Sequence, residues 1–69
     1  MKLSARNQLK GKVVKIVRGA VNDEVTLELP GKIQVVSIIT NGSVESLGLK
    51  VGMDAYAVIK ASNVMVAVD

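Results

Sequence analysis

The sequence predicts an all-β fold: a five-stranded barrel with one short helix between strands 3 and 4, in a single domain spanning residues 1–69. Three observations predict it. Apolar residues make up 49% of the chain, yet Tyr56 is the single aromatic, so Val, Ile, Leu and Ala carry the core. Valine and isoleucine are stiff at χ1 and favour strands. Runs of period-two alternation recur along the chain, bounded by turn residues. One segment, just after Thr40, has helical spacing instead.

Strand 1 spans residues 8–17. Lys10 and Lys12 share a face with Val14 and Ile16, whereas Lys15 lies opposite, so the alternation flips near Val13-Val14. A β-bulge would produce that flip, and so would burial of both faces. Arg18-Gly19-Ala20 reads as a turn with Gly19 free to take a positive φ. Strand 2, residues 23–29, alternates cleanly, with Val25, Leu27 and Leu29 inward and Glu24, Thr26 and Glu28 outward. The adjacent Asp23 and Glu24 read as a solvated pair.

Pro30-Gly31 then makes a hairpin turn. Strand 3, residues 33–40, is apolar on both faces: Ile33, Val35 and Ile39 on one, Val36 and Ile38 on the other. An outer face of that kind predicts contact with another subunit. The helix starts at Asn41-Gly42-Ser43, with Asn41 or Ser43 as N-cap, and Gly48 ends it. Strand 4 covers residues 53–60 and strand 5 residues 64–68. This is the element order of an OB-like barrel.

A 69-residue domain buries a modest core and needs help from disulfides, metals or association. The chain has no Cys and no His, which removes disulfides and thiolate or imidazole metal sites and leaves oligomerisation. The same absence, with no P-loop or dinucleotide fingerprint, argues against an enzyme. A net charge of +3 favours anionic partners. No apolar run approaches the ~18 residues that span a bilayer, and no signal-peptide pattern is visible, so the expected location is the cytoplasm.

An oxyanion offers only acceptors, so its site must supply backbone N–H groups, hydroxyls and cations. Three segments carry such groups: Ser4-Ala5-Arg6-Asn7-Gln8, Thr40-Asn41-Gly42-Ser43 and Lys60-Ala61-Ser62-Asn63. Each also has a plain reading, respectively as a frayed terminus, a helix cap and a hairpin loop.

Taken together, the three segments carry a resemblance. The opening Ser4-Ala5-Arg6-Asn7-Gln8-Leu9-Lys10-Gly11, then Val36-Ser37-Ile38-Ile39-Thr40, Ser43, Leu47-Gly48-Leu49, Gly52 and Val58-Ile59-Lys60-Ala61-Ser62 resemble the molbindins, the Mop-type molybdate-binding domains. The resemblance implies non-covalent binding of molybdate, and of tungstate as well, for molybdenum storage and homeostasis. It implies a homo-oligomer, a hexamer built as a trimer of dimers, with the ligand at subunit interfaces, where Ser4, Ala5 and Arg6 of one subunit meet Lys60, Ala61 and Ser62 across the interface. It implies an oxyanion site of Ser4, Ala5, Arg6, Thr40, Ser43, Lys60, Ala61 and Ser62, with no direct protein–metal ligand and no organic cofactor. A second site near the threefold axes would use Arg18, Gly19 and Ala20. The rival reading is an OB-fold module for single-stranded nucleic acid. Such modules stack bases on aromatic side chains, and one tyrosine is a thin platform for that; nucleic acid is therefore not an expected partner.

Overall fold

The computed structural model describes residues 1–69, with four strands, one α-helix and one 3₁₀ turn. The elements are β1 (Asn7–Val17), β2 (Asn22–Leu29), β3 (Ile33–Thr40), α1 (Asn41–Leu47) and β4 (Asp54–Ile59), followed by the 3₁₀ turn Ala61–Asn63. The strands form one antiparallel sheet in the order β3-β2-β1-β4. The sheet curls, so that β3 and β4, its two edges, face each other across an apolar groove of about 710 Å³.

β1 is the long strand that pairs on both sides, and the flip in its alternation is a bulge. Its register against β2 shifts between Val13 and Lys15. The extra residue brings Val13 and Ile16 onto the core side, although their spacing would otherwise place them on opposite faces. The loop before β4 supplies the partners that the bulge leaves over: Val13 N donates to Met53 O (2.9 Å), and Gly52 N donates to Val13 O (2.7 Å).

The buried core is small, comprising Val13, Val25, Leu27, Val44 and Ala57. Two polar residues of β2 are buried with it, which corrects the reading of that strand. Thr26 sits in the middle of the sheet between its rung partners Lys15 and Val36, whose side chains flank it on both sides. Asp23, read as half of a solvated pair, is fully buried: it has the same strand parity as Val25 and Leu27 and so points inward with them.

α1 follows β3 without a loop and plugs Val44 into the core. Its N-cap is Thr40, not Asn41 or Ser43. Thr40 has extended backbone (φ −69°, ψ 155°), and its Oγ1 accepts from Ser43 N at 3.0 Å. Gly48, at φ 63°, ends the helix as expected. Its N–H bonds to Glu45 O (3.0 Å) and that of Leu49 to Val44 O (3.1 Å), a Schellman closure in which Leu49 packs on the core beside Val44. Gly19 does not take the positive φ expected of it. It is a glycine for want of space, since a Cβ there would collide with the carbonyl of Asn22.

The fifth strand expected over residues 64–68 is not formed within the chain, and the barrel is not closed. A strand exists by pairing, and no strand of this chain pairs with the tail. Met65, Val66 and Val68 are each at least 90% exposed. No helix is long and apolar enough to cross a membrane.

Candidate functional site

The sequence-predicted site residues fall into two groups, at opposite ends of β1. The first group lies at its N-terminal end. There Asn7 pairs with Ile59 on the last rung of the β1–β4 ladder, and Asn7 Nδ2 donates to Ile59 O at 3.2 Å. Ser4, Ala5 and Arg6 precede that rung and Lys60, Ala61 and Ser62 follow it, so the ladder itself sets the two segments side by side. Local bonds shape each one. Gln8 Nε2 donates to Ala5 O (2.8 Å), and Asn63 N donates to Lys60 O (2.8 Å), closing the 3₁₀ turn. Neither Arg6 nor Lys60 forms an ion pair; the paired cations are Lys10 and Lys12 with Asp54, and Arg18 with Asp23. This end of the sheet thus presents two unpaired cations, two hydroxyls and the amides of a bend, a donor-rich set suited to an anion.

The second group lies at the other end of β1. Thr40 pairs with Asn22 at the first rung of β2. Its hydroxyl donates to Ser43 Oγ at 2.8 Å while accepting from Ser43 N, which leaves the Ser43 hydroxyl proton available to a further acceptor. Beside them runs the turn of Arg18, Gly19 and Ala20. Asn41 N donates to Val21 O (2.9 Å) and Asn41 Nδ2 to Gly19 O (3.3 Å), tying turn to helix. The structure therefore brings Thr40 and Ser43 together with the turn proposed for the second site. One chain does not bring them together with Ser4 and Lys60: 11-residue β1 separates the groups, a path of about 35 Å at strand rise.

Two residues outside the predicted set matter to this second end, Asp23 and Asn41. Asp23 Oδ1 accepts from Gly19 N (3.2 Å) and from Asn41 Nδ2, while its Oδ2 accepts no hydrogen bond and lies 3.7 Å from Arg18 Nε. The signal for Asp23 was present in the alternation of β2, whose inward parity it shares. No signal marked Asn41 as its partner, because the two are 18 residues apart. No group of three or more His, Cys, Asp or Glu is placed to hold a metal ion.

The chain is a small curled β sheet with donor-rich polar groups at both ends of its long strand, and the model of the TOBE domain matches residues 3–66. The chain belongs to the TOBE-domain family and, within it, to the Mop-type molybdenum-pterin-binding proteins. It is 53% identical over 66 residues to molybdenum-pterin-binding protein 3 of Clostridium pasteurianum, covering 96% of this chain and 97% of that one. Among solved structures it superposes on MopII from Clostridium pasteurianum with a TM-score of 0.92 at 49% identity, covering 97% of this chain and all of the other. It also superposes on the cytoplasmic molybdate-binding protein ModG in its molybdate-bound form, with a TM-score of 0.90 at 55% identity, over 94% of this chain and 46% of ModG.

Proposed function

We propose that this protein binds molybdate, and tungstate with it, non-covalently at interfaces between copies of itself, and serves in cytoplasmic molybdenum storage and homeostasis rather than in catalysis. The observation that carries the reading is the end of the β1–β4 ladder at Asn7 and Ile59, from which Ser4, Ala5 and Arg6 on one strand and Lys60, Ala61 and Ser62 on the other leave the sheet. The Ser4 and Ser62 hydroxyls and the amides of Ala5, Arg6 and Ala61 would donate to the oxygens of the dianion, and Lys60 with Arg6 would offset its charge. Hydrogen bonds to a charged ligand contribute roughly 1.5–3 kcal/mol each, so several converging donors reach micromolar affinity, about −8 kcal/mol. Thr40 and Ser43, at the far end of β1, would come from a neighbouring copy to complete the cage. The turn Arg18, Gly19 and Ala20 would form the second site.

Two features support association, for which we propose a hexamer arranged as a trimer of dimers. The groove between β3 and β4 is lined mainly by apolar side chains, among them Leu27, Ile39, Leu49 and Val58. The tail holding Val64, Met65, Val66 and Val68 stands in water. The tail of one copy laid along an edge strand of another would supply the fifth strand and cover both surfaces. The outer face of β3, with Val36 57% and Ile38 62% exposed, gives a further apolar patch for a neighbour.

Calorimetric titration with molybdate, with sulfate as control and the oligomeric mass measured in parallel, tests the reading. Saturable binding of molybdate without matching sulfate binding is expected. No heat at several temperatures, with no thermal stabilisation, would overturn it.

A further inference from the structure

The one fully buried carboxylate of the chain is not among the groups assigned to the ligand. Asp23 sits where the β1–β2 turn, the end of β3 and the start of α1 meet. Its Oδ1 gathers two donors from different segments, Gly19 N at 3.2 Å and Asn41 Nδ2, and Asn41 Nδ2 also donates to Gly19 O at 3.3 Å. Its backbone pairs with Ile39, the residue just before Thr40. Thr40 is thus held on both sides by neighbours that Asp23 fixes, one through the ladder and one through the side chain.

Burying a carboxylate is costly, and an apolar pair of similar volume often serves stability as well or better. In some proteins a buried polar or ionic group is kept for the geometry it specifies. The geometry specified here is the position of the Thr40 and Ser43 hydroxyls relative to the turn of Arg18, Gly19 and Ala20.

We propose that Asp23 is a positioning residue for the oxyanion site: through Asn41 and the Gly19 amide it locks the two anion-binding segments at this end of the sheet into one unit. The inference rests on the function proposed above and deepens it. Asp23 does not touch the ligand. Its Oδ1 accepts from Gly19 N and Asn41 Nδ2 while its Oδ2 stands 3.7 Å from Arg18 Nε; an asparagine keeps the acceptor and gives up the ion pair, and the positioning role belongs to the acceptor.

The test titrates molybdate into the wild-type protein and into Asp23→Ala, Asp23→Asn, Asn41→Ala and the double variant Asp23→Ala/Asn41→Ala, each checked for oligomeric mass and melting temperature. Asp23→Ala and Asn41→Ala are expected to lose affinity about tenfold or more, as supporting partners of a binding group do. The double variant should lose no more than the worse single one, because both remove the same chain of contacts. Asp23→Asn should retain most of the affinity. Unchanged affinity in Asp23→Ala with a lowered melting temperature would overturn the proposal by showing that Asp23 serves the fold alone. Raised affinity in either Asp23 variant would overturn it too, by showing that the buried charge opposes the dianion. Should Asp23→Ala not fold, Asn41→Ala against Asp23→Asn makes the same comparison. A wild-type protein that binds no molybdate would instead overturn the proposed function, and this inference with it.

Discussion

The side-chain amide of Asn7 reaches the carbonyl of Ile59 at 3.2 Å, closing the β1–β4 ladder at the point where the two candidate ligand segments leave the sheet. The bond ties two residues 52 positions apart in sequence. Asn7→Ala removes it and leaves the ladder above intact. We expect about 0.5–1.5 kcal/mol of lost stability by thermal melting and weaker molybdate binding by titration. Unchanged affinity would show that the backbone ladder alone sets the two segments.

Lys60 forms no ion pair and stands beside the bend that begins at Ala61. Lys60→Ala should weaken molybdate binding by one to two orders of magnitude, about 1.5–3 kcal/mol for one charge-assisted bond, while the oligomeric mass stays the same. Titration that gives the wild-type affinity would remove Lys60 from the site.

Val66 is 90% exposed in the lone chain. If the tail of one copy lies on the sheet edge of another, Val66→Asp buries a charge in that contact and should shift the mass in solution toward smaller species. Sedimentation or light scattering reads this directly, and an unaltered mass would place the tail outside the interface.

Gly48 closes α1 at φ 63° with open space around its Cα. Gly48→Ala meets no neighbour but must hold a left-handed backbone, at a cost of about 1–2 kcal/mol. For a domain of this size that is a fall of roughly 4–16 °C in melting temperature. A smaller fall would mean that the helix end relaxes into another conformation.

Local chemistry explains which parts of this fold were legible in the sequence. Alternation placed β2 and β3 within a residue of their true bounds, because a period-two pattern records which side of a sheet each residue faces; the flip in β1 left a bulge and burial of both faces open, and the register shift between Val13 and Lys15 decides for the bulge. The left-handed Gly48 was equally plain. What was not legible depends on partners far along the chain or outside it. The fifth strand failed because residues 64–68 have strand composition but no strand to pair with in one copy. Thr40 took the cap that Asn41 or Ser43 could equally have filled, since all three are good cap residues and only the backbone decides. At the candidate site, the resemblance has Ser4 to Arg6 of one subunit meet Lys60 to Ser62 across an interface, whereas in the single chain the two segments flank one rung of the ladder, which periodicity did not reveal. The burial of Asp23 was implied by the parity of its strand, but its charge argued the other way.

Only five apolar residues are buried in this 69-residue chain, while both edge strands and the apolar tail stay uncovered. A lone copy therefore seals little apolar surface of its own, and the surfaces left open are the ones the proposed association would cover. In the association proposed above, folding and assembly would be one reaction, whose midpoint moves with the amount of protein present: dilution would act on this molecule as a denaturant does on larger domains.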